Sequence, residues 1–230
     1  MSKTILVTGA NGSLGAAVVT HLLAKGYTVI GIDNSLEKLG HTISHERFRF
    51  YGADVSDEQL MKTLLPEILH DHQQLHGALM LVGGFAMGDL EATTGTDLQD
   101  MFRLNFYSAY HLTRLLYPHF ESKQYGRIAF IGARPALEPE AGYKMMAYSL
   151  SKSLLFRLAD MLNAQSRKAD ISCSVIVPSV IDTPMNRKSM PDKDPEDWVK
   201  PKHIAALLEL LFTETGAVLR ENVMKVYNRV

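Results

Sequence analysis

The stretch Thr4-Ile5-Leu6-Val7-Thr8-Gly9-Ala10-Asn11-Gly12-Ser13-Leu14-Gly15 constrains the fold of this 230-residue chain more than any other. An apolar run breaks into glycines and resumes as a helical pattern, which predicts a strand, a tight turn and a helix N-terminus. Gly9 lets the chain turn sharply off the strand, Gly12 lets backbone approach a bound pyrophosphate, and Gly15 allows close packing of the helix on the sheet. With Asn11, Ser13 and Leu14 these residues form a candidate phosphate cradle. Free N–H groups at a helix start, at the positive end of its dipole, suit a diphosphate. The spacing is G-x-x-G-x-x-G rather than G-x-G-x-x-G, and taken alone it would also serve an ordinary strand-turn-helix corner.

An acidic residue follows at a telling distance. After a helix over Ala16 to Leu23 and a second strand over Tyr27 to Ile32, Asp33 falls about 20 residues past the turn, where a carboxylate bonds an adenosine ribose diol. The same carboxylate repels a 2′-phosphate, so NAD(H) is the preferred cofactor, with NADP(H) possible. The alternative at this point is a surface aspartate with no ligand.

Length suits one α/β domain with a sizeable core. A net charge of -1 shows no electrostatic footprint for nucleic acid or an anionic membrane. No apolar run is long enough to span a bilayer, and a strand begins almost at once, which leaves no room for a signal peptide. A cytoplasmic protein is therefore expected. The lone Cys173 lies in an apolar run and reads as a buried structural thiol. The nine histidines are scattered without metal-ligand spacing, and His70, His72 and His76 read as surface residues complementing the end of a helix. No metal is assigned.

Strand-then-helix alternation from Thr4 to about Leu211 predicts a doubly wound parallel sheet of about seven strands, Rossmann-type, with helices on both faces, as a single domain over 1–230. The polar run Asn34 to Glu46 implies a short or irregular crossover. A third strand is expected at Phe48 to Tyr51, leading to Asp54-Val55. Ser56-x-x-Gln59 reads as a capping box for a helix to about His72. Gly77 to Val82 is an apolar fourth strand ending in Gly83-Gly84, where backbone can lie close to a ligand. Thr96-x-x-Gln99 opens a helix that stops near Pro118. A fifth strand is expected over Arg127 to Ala133, a long helix from Gly142 to about Arg167, and a sixth strand over Ile171 to Val177. Pro191 to Pro201 reads as an irregular loop, His203 to Phe212 as an amphipathic helix, and Asn222 to Tyr227 as a last strand. The two long helices carry more apolar positions than one sheet-facing stripe needs, which fits either an intermolecular helix bundle or extra burial under loops.

The chemical core is Tyr148-Ser149-Leu150-Ser151-Lys152. A tyrosine and a lysine four residues apart share a helix face, and the ammonium is expected to lower the phenol's pKa. Combined with the glycine turn, Asp33, Asp54-Val55 and Asn105, all in order, the chain resembles the short-chain dehydrogenase/reductase family along essentially its full length. The resemblance implies a proton relay of Tyr148 and Lys152, the lysine also holding the nicotinamide ribose, with Asn105 positioning a relay water. It implies adenine contacts from Asp54 and Val55, and cofactor contacts from Gly83, Gly84, Pro178, Val180 and Thr183. A homodimer or homotetramer through the two long helices is the corresponding expectation.

Two departures from the family pattern stand out. The substrate-orienting serine is expected about 13 residues before the tyrosine, yet the chain reads Gly132-Ala133-Arg134-Pro135-Ala136. Losing that hydroxyl removes a donor worth a few kcal/mol in comparable oxyanion sites. Val82-Gly83-Gly84-Phe85 replaces the usual N-N-A-G. With the run Asp182-Thr183-Pro184-Met185-Asn186-Arg187-Lys188-Ser189-Met190-Pro191, these features are similar to the quinonoid dihydropteridine reductase-like members of the family. A quinonoid dihydropterin accepts hydride and one proton on nitrogen, so Tyr148 could serve without a carbonyl clamp. The small-molecule substrate would sit near Phe85 and Met87 under a lid at 184–200 that includes Trp198, with Arg187 and Lys188 meeting its polar groups or facing solvent. For Phe85, Met87 and Trp198, core packing is the alternative. A reductase of another carbonyl, which Asn105 permits, and a non-catalytic NAD(H) sensor also stay open.

Overall fold

The computed structural model describes residues 2–34 and 45–229. Most of the run expected to be short or irregular, residues 35–44, lies outside the described residues. The elements are β1 (Thr4–Thr8), α1 (Ser13–Ala24), β2 (Thr28–Asp33), β3 (Phe48–Gly52), α2 (Glu58–Asp71), β4 (Leu75–Met80), α3 (Gly95–Phe102), α4 (Ser108–Lys123), β5 (Tyr125–Ile131), α5 (Pro139–Gly142), α6 (Met146–Gln165), β6 (Asp170–Pro178), α7 (Pro184–Ser189), α8 (Pro201–Leu210) and β7 (Val223–Val226). A single sheet carries the order β3-β2-β1-β4-β5-β6-β7, and every pairing is parallel.

Alternation along β1 divides the core. Leu6 packs with Met61, Leu65 and Ile68 of α2, Leu112, Leu116 and Phe120 of α4, and Leu155 and Leu162 of α6 on one face. Ile5 and Val7 pack with Val18, Val19 and Leu22 of α1 and Ile204 and Leu208 of α8 on the other. Fully covered parallel strands explain the near-continuous apolar runs. Beyond β1 the strand order reverses, so the carboxyl ends of β1 and β4 diverge into the crevice where such folds bind ligands. Among the described residues no helix is long and apolar enough to cross a membrane.

Several local expectations move. The cap of α2 is Asp57, which accepts from the Leu60 N–H at 2.9 Å, because Ser56 is taken by Asp54 through both its N–H and its hydroxyl. The capping box of α3 is Thr94 with Asp97, not Thr96 with Gln99. The helix does not stop at Pro118. It passes through a π-helical turn at Arg103–Tyr107 and runs to Lys123. A helical proline costs about 3 kcal/mol, and complete burial of Leu116 and Phe120 beside it returns about 1.5–3 kcal/mol each.

The long helix begins at Met146, not Gly142. Backbone at 144–146 is engaged by Gly88, whose N–H donates to the Lys144 carbonyl and whose carbonyl accepts from the Met146 N–H, both at 2.8 Å. His76 lies inside β4 rather than at a helix end, accepting from the Thr4 N–H at 3.0 Å. Cys173 is buried, as expected. Residues 184–200 hold α7 and a 3-10 turn at Pro195–Asp197, so the stretch expected as an irregular loop at Pro191 to Pro201 carries a helical turn.

Candidate active site

One end of the crevice is a cavity of about 250 Å³ lined by Gly9, Gly12, Asp33, Asn34, Ala53, Asp54, Val55, Leu81, Val82, Gly83 and Leu104. Gly9 has φ +64°, and a Cβ there would sit 3.2 Å from the Val82 nitrogen, so only glycine closes the turn against β4. Gly12 precedes the first turn of α1, exposed and extended, which leaves the helix-start N–H groups at the cleft. A Cβ on Gly15 would meet the Gly9 carbonyl oxygen at 2.0 Å, so this glycine packs the helix onto the turn itself. Ser13 is exposed and Leu14 half-buried on the same turn.

Asp33 ends β2, and its carboxylate accepts from the Asn11 N–H at 2.9 Å, which ties the glycine turn to the second strand. Asp54 is oriented by Ser56 and by Arg103, whose guanidinium lies 3.4 Å from Asp54 Oδ2 and 3.0 Å from Ser56 Oγ. Val55 is buried beneath the same cavity. Of the expected cofactor residues between Gly9 and Val55, Gly9, Gly12, Asp33, Asp54 and Val55 thus line one cleft, and Gly15 packs beneath the turn. Their arrangement fits a dinucleotide: a glycine-walled turn, free helix-start donors and a carboxylate at the end of β2.

At the other end, Tyr148 stands in the first turn of α6, half-buried, with the Phe85 ring edge-on at 5.1 Å between centroids. One turn on, Lys152 is 5% exposed and donates from Nζ to the Ile131 carbonyl at 2.7 Å. Asn105 is buried in the π-helical turn. Its Oδ1 accepts from the Gly84 N–H at 2.9 Å, and its Nδ2 donates to the Gly84 carbonyl at 3.2 Å and to Ser151 Oγ at 3.0 Å. Ser151 in turn donates to the Tyr148 carbonyl at 2.8 Å. A Cβ on Gly83 would lie 2.8 Å from Asn105 Oδ1 and 3.0 Å from Lys152 Nζ, so the post-β4 backbone, the asparagine and the lysine meet at one point. Ser151 is the member that spacing missed; nothing in the sequence separates it from its neighbour Ser149.

Electrostatics here run opposite to the expectation for the tyrosine. Burial pushes the Tyr148 phenol up to about 12 and the Lys152 ammonium down to about 8. Desolvation disfavours whichever form is charged, and it outweighs any help the lysine gives the phenolate. The Tyr148 phenol is therefore protonated at neutral pH.

The chain segment in the serine's place folds as a 3-10 turn at Arg134–Ala136, with Ala133 buried and Arg134 paired to Glu138 at 2.6 Å. Pro178 ends β6, the Val180 carbonyl accepts from the Val199 N–H, and Thr183 caps α7 through its hydroxyl. Phe85 and Met87 are 60% and 66% exposed, but Trp198 is 2% exposed and belongs to the core rather than to a substrate surface. Arg187 is committed to Asp182, whereas Lys188 is exposed.

Residues 3–194 match the family model described as short chain dehydrogenase, and the chain belongs to that family of NAD(P)-dependent oxidoreductases. It is 28% identical over 244 residues to the 17-beta-hydroxysteroid dehydrogenase type 3 of Mus musculus, covering 100% of this chain and 77% of that one. It is 27% identical over 215 residues to the dihydropteridine reductase of Dictyostelium discoideum, covering 90% and 87%. Among solved structures, ElxO with NADP bound superimposes at a TM-score of 0.91 with 20% identity, covering 99% and 98% of the two chains, which bears on the fold alone.

Proposed function

We propose that this protein is an NADH-preferring reductase of a planar, electron-poor conjugated imine or carbonyl, quinonoid dihydropterin being the first candidate. The observation that carries the reading is the pairing of a neutral, edge-stacked Tyr148 with a substrate wall built without the serine. Arg134 there is spent on Glu138, and Ala133 and Pro135 offer no hydroxyl. A carbonyl developing full negative charge needs several donors. An imine nitrogen that takes up one proton needs only one.

The reduced nicotinamide supplies the hydride when bound. Gly9, Gly12 and the start of α1 hold the diphosphate, Asp33 takes the ribose diol, and Asp54 with Val55 borders the adenine. Tyr148 holds its proton toward the substrate. Lys152, held near Gly83 and Asn105, would hold the nicotinamide ribose and carries a proton that can replace the one Tyr148 gives up. The exposed Phe85 ring offers a flat substrate a stacking surface beside the donor. The carboxylate of Asp33 disfavours a 2′-phosphate, which supports NADH, although NADPH is the natural alternative given the NADP carried by a structural relative. We further place the lid at 184–200 of this single domain, and a homodimer or homotetramer through α4 and α6, where Tyr110, Leu150 and Met161 are exposed.

The test is turnover of NADH with chemically generated quinonoid dihydropterin, followed by loss of nicotinamide absorbance. Tyr148→Phe should abolish turnover by at least about a hundredfold while NADH still binds. Activity on simple ketones but not on the pterin would replace this reading with that of a general carbonyl reductase. The retained Asn105, buried against Gly84 and Ser151, supports that second reading.

A further inference from the structure

Between β6 and α8 the chain makes a long excursion whose two ends lie side by side. The Asp182 N–H donates to the Val199 carbonyl and the Val199 N–H to the Val180 carbonyl, each at 2.9 Å, and Ile181 and Val199 form a parallel bridge. The Asp182 side chain is only 9% exposed between these ends. It accepts from Arg187 at Nε, 2.6 Å, and at a terminal guanidinium nitrogen, 2.9 Å, and from Lys200 Nζ at 3.1 Å. Arg187 belongs to α7 and Lys200 caps α8 at the returning end of the excursion, so one carboxylate holds both. Lys200 also donates to Glu196 and to the Pro195 carbonyl, which adds the 3-10 turn to the cluster. Asn186 donates to the Ile181 carbonyl, and Asn228 from the C-terminal segment donates to the Glu196 and Trp198 carbonyls.

We propose that Asp182 is a positioning residue for the dinucleotide: it latches both ends of the excursion and thereby sets Thr183 and α7 at the nicotinamide end of the crevice. The proposal rests on the reading that this segment closes over the cofactor. An exposed ion pair contributes little by itself. A bidentate arginine and a lysine sharing a nearly buried acceptor define one geometry, and that geometry fixes the residue next in sequence, Thr183. The hydrogen bond from Arg187, with Lys200 second, holds the Asp182 carboxyl well below the usual carboxylate range, so the latch stays charged at any working pH.

The experiment compares full-length wild type with Asp182→Asn and with Lys193→Gln, a charge change in the same excursion at an exposed position. Amide hydrogen exchange is measured over 183–199 without ligand, and NADH affinity by fluorescence titration. For Asp182→Asn, exchange in that segment should quicken about tenfold or more, NADH should bind about tenfold more weakly, and its KM should rise far more than kcat falls. Lys193→Gln should match wild type. Unchanged exchange and affinity in Asp182→Asn, or faster exchange spread equally through the sheet, would overturn the proposal. Should Asp182→Asn fail to fold, Arg187→Gln, which frees α7, and Lys200→Met, which frees the returning end, should each show the same two changes to a smaller degree. Wild type that binds no nicotinamide dinucleotide would sink the function reading as well, whereas wild-type binding untouched by Asp182→Asn would sink the latch alone.

Discussion

Replacing Lys152 by methionine should strengthen the fold while destroying the reaction. The ammonium is 5% exposed and makes one hydrogen bond, to the Ile131 carbonyl, and burial takes its pKa from 10.5 to about 8. That fall equals about 3 kcal/mol of preference for the neutral form. The folded value lies below the unfolded one, so the cost is carried in full below pH 8 and is released as pH rises toward 10.5. Methionine keeps an unbranched stem of similar reach without the charge. It also strands the Ile131 carbonyl, at a cost of about 1 kcal/mol. The balance predicts a variant about 2 kcal/mol more stable at pH 7, or about 4–8 °C in Tm for a chain of this size. Near pH 10.5 the sign should reverse, leaving the variant about 1 kcal/mol weaker. Urea melts of both proteins without cofactor, followed by circular dichroism at pH 7 and pH 10.5, read this directly. A Lys152→Met protein equally destabilised at both pH values would refute the idea that the buried charge burdens the fold for the sake of function.

Two further changes probe the cleft. Gly83→Ala places a methyl 2.8 Å from Asn105 Oδ1 and 3.0 Å from Lys152 Nζ, so the buried pair must shift; kcat/KM should fall about a hundredfold. Gly95→Ala, which has open space around its Cβ, serves as the control and should gain up to about 1 kcal/mol in stability as a helical position. Asp33→Ala should narrow the ratio of kcat/KM for NADH over NADPH by about tenfold or more, and an unchanged ratio would show that another group sets the preference.

Much of the fold was legible because its signals are short-range. The glycine turn, the acidic residue about 20 positions later and the tyrosine one helical turn from the lysine are each specified within a few dozen residues. Alternating strands and helices then leave a doubly wound sheet as the economical packing, and the strands observed lie within a few residues of those expected. Element ends were less legible. Ser56 looks like a cap until Asp54 claims it, and α6 looks four residues longer until Gly88 binds its start.

The sequence by itself determined which residues stand in which order: the glycine turn, Asp33, Tyr148 with Lys152 one turn on, and no serine at 132–136. Tertiary structure alone decided what those parts are worth. It buried Lys152 and Tyr148 enough to move both pKa values toward neutrality of the side chain, sent Trp198 into the core, and paired Arg103 with Asp54. The reason is physical: local spacing dictates backbone conformation over one or two turns, while exclusion of water and the choice of ion-pair partner depend on segments far apart in the chain.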